Sequence, residues 1–303
     1  MIDIDREELF RKLNEGILQE RYRLFRSNLQ KNLPAIRRHG GLQRIVPHLK
    51  GKAVIVAGAG PSLESGLESL KRFQHRRELS IIAVDMALRP LMYHGIVPNF
   101  VISCETTPVE YFRGLATGEM HLLAFSCISP VNLRTWRGDI SFYNWMIHRS
   151  PYDELWETAG TDLGFVATGN LVSTQAVAFA LGCHIHSLLL VGNDLGFSER
   201  YYTRGTVSSR KRLCRIDRLH TIETTERFAV RRAREYSITR SDRVYYTNSQ
   251  FLAGKLWLEE LFQKQRVPIY DSSEPGCSEE HVVKSGVSEY LDRFERKRSR
   301  RRK

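Results

Sequence analysis

Lys52-Ala-Val-Ile-Val-Ala-Gly-Ala-Gly-Pro-Ser-Leu-Glu64 is the stretch whose reading decides the fold. Ala53 to Ala57 shows no polar alternation, is rich in β-branched residues and stops at a glycine. A strand that is apolar on both faces belongs inside a parallel sheet covered by helices. Gly58-Ala-Gly60 lets the backbone turn sharply, and a helix is expected from about Ser62, with Glu64 and Glu68 in its first turns. Strand, glycine turn and helix N-terminus together make an anion site, because unpaired N–H groups and the helix dipole point at one place. The dinucleotide fingerprint has a third glycine where this chain has Leu63, and no proline in the turn. The turn therefore reads either as a phosphate site or as a ligand-free strand-to-helix connection.

Outward from this stretch, strand and helix signals alternate. Strands are expected at 79–85, 99–104, 121–125, 140–143, 187–191 and 267–270; helices at 62–74, 86–93, 108–115, 171–181 and 248–263. The helix at 171–181 is apolar on nearly every face and should be buried. Gly182 is expected to close it as a C′ glycine. The fold class is α/β: a Rossmann-like, mostly parallel sheet with helices on both faces, plus an N-terminal helical prefix. Residues 1–50 form that prefix, helical over 5–48 with a break at Pro34. Its apolar spacing (Leu9, Leu13, Ile17, Leu24, Phe25) suits packing on the core or a partner arm. Residues 51–275 form the nucleotide-binding domain, and 276–303 a C-terminal helix and basic tail. Within the domain, 199–243 holds 13 Lys/Arg against 6 acids and reads as a lid or insertion, or as a solvated loop with a helix over 221–235.

Charge and cysteine content exclude several classes. The net charge of +12 sits at the ends: residues 1–50 carry 11 Lys/Arg against 6 acids, and 293–303 carry 8 against 1. The middle is neutral, so no basic face for nucleic acid is expected. The tail from Arg293 is a solvated end, or a contact for an acidic partner or an anionic membrane surface. Five widely spaced cysteines suggest neither a zinc site nor a disulfide frame. With no membrane-length apolar run and no signal-like start, a cytoplasmic protein is expected.

In open parallel sheets ligands bind beyond the carboxyl ends of the strands. Gly58 and Gly60, Asp85, Glu105, and Gly192-Asn193-Asp194 all fall at such ends, and Thr168-Gly169-Asn170 opens a second helix. If the strands lie side by side, these groups meet in one crevice. The competing readings are helix capping for Asp85 and Asp194, an N-cap for Asn170, and surface or loop-packing residues for His220 and Tyr201-Tyr202.

Three runs carry a family resemblance: Val54-Ile-Val-Ala-Gly-Ala-Gly-Pro-Ser-Leu63, Val84-Asp-Met-Ala-Leu88 and Gly95-Ile-Val-Pro-Asn-Phe-Val101. Thr168-Gly-Asn170, Ala178-Phe-Ala-Leu-Gly-Cys183 and Leu190-Val-Gly-Asn-Asp-Leu-Gly-Phe197 continue it. They resemble the core shared by the motility accessory factors, bacterial glycosyltransferases that place nonulosonic sugars on flagellin, and by an MptE-like 6-hydroxymethylpterin diphosphokinase. Bacterial sialyltransferases using CMP-activated donors have a similar opening.

The resemblance implies that Gly58, Gly60, Pro61 and Ser62 border the nucleotide phosphate. It implies that Asp85, Glu105, Thr168, Gly169, Asn170, Gly192 and Asn193 lie along the nucleotide. It implies His220 or Asp194 as base, with Tyr202 and the lid residues Arg204 and Arg210 steadying the leaving phosphate. Phe197 stands where the sialyltransferases have a first tyrosine, and Glu105 where relatives have an aspartate. The implied reaction is sugar transfer from a CMP-linked donor to a protein or glycan hydroxyl, flagellin among the possible acceptors. The alternatives are ATP-dependent, Mg-dependent diphosphoryl transfer to a hydroxymethylpterin, with Asp85, Glu105 and Asp194 on the metal, or a non-catalytic binding module.

Overall fold

The computed structural model describes residues 6–208, 218–219, 221–240 and 242–293. Its centre is β1 (Ala53–Ala57), buried at every position, as an apolar run on both faces requires. Around it lie β2 (Leu79–Val84), β3 (Phe100–Ser103), β4 (His121–Phe125), β5 (Asp139–Trp145), β6 (Phe165–Val166) and β7 (Ser187–Val191). Beyond a two-stranded antiparallel hairpin of β8 (Tyr236–Arg240) and β9 (Arg243–Thr247), the sheet resumes with β10 (Ile269–Asp271) and β11 (Val283–Lys284). Among the described residues the main sheet has nine strands in the order β11-β10-β7-β1-β2-β3-β4-β5-β6, every pair parallel. Chain order therefore reverses between β1 and β7, which makes the gap beyond their carboxyl ends a switch point.

The helices are α1 (Arg6–His39), α2 (Val46–Leu49), α3 (Leu63–Phe73), α4 (Asp85–Tyr93), α5 (Pro130–Thr135), α6 (Tyr152–Ala159), α7 (Val172–Gly182), α8 (Ile222–Ala233) and α9 (Ser249–Gln263). A last helix runs over 287–293 and buries Tyr290 and Leu291. No helix among the described residues is long and apolar enough to cross a membrane.

Four expectations need correction. The prefix is one continuous helix through Pro34. Pro34 and Gln30, whose carbonyl loses its helical donor, are both exposed, so water can serve that carbonyl while buried Asn32 and Ile36 hold the helix on either side. Residues 108–115 form turns, not a helix. Side chains and long-range partners take their backbone groups: Asn132 Oδ1 accepts from Tyr111 N and Arg89 donates to the Arg113 carbonyl, while Gly114 takes φ +75°. Gly182 is the last helical residue of α7, and the left-handed residue is His184, at φ +54°. The region 199–243 holds a strand as well as a helix. Its hairpin docks on the body by paired backbone bonds between Phe197 and Tyr246, at 2.8 and 2.7 Å.

α1 docks by polar contacts as well as by Phe25, Leu29 and Ile36. Asn28 Nδ2 donates to the carbonyls of Thr106 and Cys127, and Asn32 Nδ2 to those of Ser126 and Ile128. These carbonyls belong to the loops after β3 and β4, so the helix lies over the end of the sheet that carries the crevice.

Candidate functional site

A cavity of about 330 Å³ opens at the switch point. Of the residues expected there, Gly58, Gly60, Asp85, Glu105, Thr168, Asn170, Gly192, Asn193, Asp194 and Tyr202 line it, together with Tyr201. Pro61, Ser62 and Gly169 are not among its lining residues, and neither is Arg204. His220 and Arg210 lie outside the described residues.

The glycine turn is bonded to the neighbouring loop. Gly58 N donates to Val191 O, and Gly60 N to Gly192 O, each at 2.8 Å. Ser62 N donates to Asp194 Oδ2 at 3.0 Å, and the Ser62 hydroxyl to Asp194 Oδ1. Leu63 N and Glu64 N reach the Gly60 and Pro61 carbonyls. Asp194 thus caps α3 from the neighbouring loop, and the N–H groups of Gly58, Gly60, Ser62, Leu63 and Glu64 already have acceptors. The glycines are needed for this close approach. A Cβ on Gly192 would lie 2.6 Å from the Gly58 carbonyl oxygen, and one on Gly60 2.6 Å from an Asp194 oxygen.

The second helix start is built differently. Thr174 Oγ1 accepts Gly169 N and Thr168 Oγ1 accepts Asn170 N, holding Asn170 at φ +66°. The N-cap of α7 is therefore Leu171, which has no side-chain oxygen to offer, and no side chain caps the helix. The first-turn N–H groups of a helix lack intrahelical acceptors. Leu171, Val172 and Ser173 line the cavity, so the uncapped end faces it. Gly169 itself packs its Cα against the Trp257 ring.

Asp85 sits where β2 passes into α4. It accepts Met86 N at 2.7 Å and the Ser103 hydroxyl at 2.6 Å. Burial lifts its carboxyl to about 7, with Glu105 adding to the rise. Asp194 is also lifted to about 7, by burial first and by nearby Asp271. Glu105 Oε1 accepts both the N–H and the hydroxyl of Thr107, so it shapes its own loop. Asn193 Nδ2 donates to the Val56 and Val191 carbonyls, while its buried Oδ1 has no partner. Among the described residues, no three of His, Cys, Asp and Glu are grouped to hold a metal ion.

Two features were not foreseen. Gln175 is the polar residue in the middle of apolar α7. Its Oε1 accepts from the Tyr143 hydroxyl and Trp145 Nε1, and its Nε2 donates to Cys104 Sγ and Thr168 Oγ1. A glutamine in a helix expected to be buried was the available signal. The other is Glu64, which binds Arg200 through both oxygens and also accepts from Thr203 Oγ1 and Arg204 N. Burial opposes its ionisation, yet these donors, Arg200 foremost, bring its pKa down to about 2. The loop carrying Tyr201 and Tyr202 is thereby tied to α3. Tyr201 is further held by Asn248 and by the rings of Phe197 and Phe251. Phe197 is a buried support for that tyrosine and does not line the cavity.

A family model described as 6-hydroxymethylpterin diphosphokinase MptE-like matches residues 27–200, more than half of the chain. The chain belongs to the MptE-like family. The matched span of this MptE-like protein runs from the second half of α1 through the β7 turn and so contains both glycine loops. An uncharacterized protein of Treponema pallidum (strain Nichols) is 39% identical over 57 residues, 19% of this chain and 26% of that protein. Among solved structures, the Maf glycosyltransferase of Magnetospirillum magneticum AMB-1 matches 79% of the MptE-like chain and 34% of its own, with TM-score 0.51 and 18% identity. The chain thus spans about a quarter of the one relative and a third of the other, and the second likeness is one of fold.

Proposed function

We propose that this MptE-like chain binds a nucleotide-activated sugar and transfers the sugar to a hydroxyl. The donor is a CMP-linked nonulosonic sugar, and the acceptor a protein or glycan, flagellin among the candidates. The observation that carries this reading is the uncapped start of α7 opening into a cavity at the sheet's switch point. It suits a nucleotide phosphate, whereas the α3 start is closed by Asp194. The fold likeness to a Maf glycosyltransferase supports the same reaction class.

In this reading Asp194 is a positioning residue, and Asp85 takes over as the proton acceptor. Its carboxyl lines the cavity and, at about 7, is poised to take a proton near neutrality. Tyr202 lies in the cavity wall, where its phenol suits the leaving phosphate. The diphosphokinase alternative asks Asp85, Glu105 and Asp194 to share a magnesium ion. Glu105 and Asp194 are engaged with Thr107 and Ser62, which favours the sugar-transfer reading.

Calorimetric titration with CMP, UDP, GDP and ATP, with and without Mg²⁺, tests the nucleotide. Release of CMP from CMP-sugars in the presence of acceptor tests the reaction. Tightest binding of CMP and CMP release are expected. Magnesium-dependent ATP binding with no response to CMP would overturn the proposal.

A further inference from the structure

The edge of the sheet opposite the switch point holds a second cavity, of about 430 Å³. Successive side chains of a strand point to opposite faces, so strand register decides what meets there. Val54 pairs with Ser80, Ile82 with Phe100, Phe100 with His121, and His121 with Asp139. Lys52, two residues before Val54, therefore shares one face with Ser80, His121 and Asp139. These residues stand at the amino ends of β1, β2, β4 and β5, and all of them line the cavity. Buried parallel strands are expected to be apolar on both faces. A polar row across them calls for a partner.

The row is rich in donors. Ser80 is 1% exposed, and its hydroxyl makes no hydrogen bond with any described residue. Leaving a hydroxyl unmet at that depth costs stability. Lys52 is partly buried, and its ammonium has neither a hydrogen bond nor an ion pair among the described residues. His121 is oriented through Ser141, whose hydroxyl accepts from Arg44 Nε at 3.1 Å and lies 3.0 Å from His121 Nε2. Among the described residues the Ser141 proton has Nε2 as its acceptor, which leaves the ring hydrogen on Nδ1. Burial holds this ring neutral, with its pKa down at about 4; Arg44 pushes the same way and Asp139 opposes. Arg44 is itself anchored on β5, where it donates to the Ile140 carbonyl, so its charge stays beside the row.

Acceptors lie in the same wall. The carboxylates of Glu119 and Asp139 line the cavity, are exposed, and form no ion pair with Lys52 or Arg44. An ionised carboxylate accepts hydrogen bonds and donates none, so it suits hydroxyl groups and repels a bare anion. Solvation accounts for exposed charges at a sheet edge. It does not account for the buried, unpartnered hydroxyl of Ser80 in the same cavity.

We infer that this cavity at the amino ends of the strands is a second ligand site, which binds a phosphorylated polyol. The phosphate meets Ser80, Lys52 and His121, and the hydroxyl groups meet Glu119 and Asp139. Charge-assisted bonds from an ammonium to phosphate oxygens are the strong contacts of such a site. The inference is independent of the nucleotide reading of the other cavity.

Calorimetric titration of the full chain with fructose 6-phosphate, inorganic phosphate and fructose tests it. Fructose 6-phosphate should bind most tightly and fructose not measurably. Ser80→Ala and Lys52→Gln should each weaken fructose 6-phosphate about 10- to 100-fold, the range of a hydrogen bond to a charged group. Ser80→Ala should do so with an unchanged or raised urea midpoint, because the hydroxyl it removes has no partner in the protein. Lys52→Gln changes a partly exposed side chain and decides the matter if Ser80→Ala lowers stability. Absence of fructose 6-phosphate binding would overturn the inference. So would an affinity unmoved by both substitutions, the result expected if the phosphate sits at the α7 start instead. Inorganic phosphate binding as tightly as fructose 6-phosphate would overturn the polyol assignment.

Discussion

Gly60 and Asp194 are 134 positions apart and meet with no room for a methyl group between them. The glycine reads in sequence as a phosphate turn, and in the structure it serves the neighbouring loop. Asp194 is held in place by the Ser62 N–H and hydroxyl, so it cannot swing aside without uncapping α3. Gly60→Ala should therefore destabilise the protein by about 1–3 kcal/mol, the usual consequence of overpacking. Gly182→Ala is the control. That glycine is helical with open space around it, and alanine there should be neutral or stabilising by about 0.5–1 kcal/mol. Urea midpoints of the two variants decide the matter, and equal effects would show that the loop contact is not tight. The positions of Asp85, Glu105 and Asn193 at strand ends were legible, because an apolar run announces where its strand stops. That Asp194 would turn onto Ser62 was not, since local sequence does not say which loop faces which.

At the scale of elements, buried parallel strands were legible for the same reason: all six expected strands beyond β1 exist, two of them (121–125 and 187–191) with the expected ends and four with shifted ones. What failed were segments whose backbone is claimed from far away. Residues 108–115 carry helix-compatible residues, yet Asn132 and Arg89 take their polar groups. The mode of docking of α1 was equally hidden, because Asn28 and Asn32 look like ordinary surface residues in a basic helix. Each is buried and serves two carbonyls of the crevice loops. Asn32→Ala should cost about 1–3 kcal/mol, since the Ser126 and Ile128 carbonyls would lose a buried donor. The same variant should expose α1 to limited proteolysis ahead of the rest of the chain. Loss of stability without early cleavage within α1 would mean that the apolar contacts of Phe25, Leu29 and Ile36 hold the helix alone.

For the whole molecule, the crevice stores unfavourable charge that a ligand or a proton relieves. Asp85 and Asp194 are almost fully buried at the ends of adjacent parts of the sheet, and both are lifted from 3.8 to about 7. A carboxyl whose folded pKa exceeds its unfolded value binds its proton more tightly in the native state. Its contribution is then greatest below the unfolded value and declines as pH rises through the folded one. Glu64 acts in the opposite sense. Its ion pair with Arg200 is present above its unfolded value of 4.5 and is lost as pH falls toward about 2, but a third of its side chain is exposed and the effect is screened. Between pH 5 and 8 the two buried carboxyls should therefore dominate the difference between wild type and their amide variants. Asp85→Asn can still accept from Met86 N and pair with Ser103, so it removes the titration while keeping these two contacts. Its stability relative to wild type should rise across this interval, with a slope of up to about 1.4 kcal/mol per pH unit. Parallel curves for the two proteins from pH 5 to 8 would show that Asp85 is ionised throughout. If Asp85 is also the proton acceptor, the turnover of wild type should climb through the same interval in which its stability declines. That shared interval ties the destabilising burial of the carboxyl to its use.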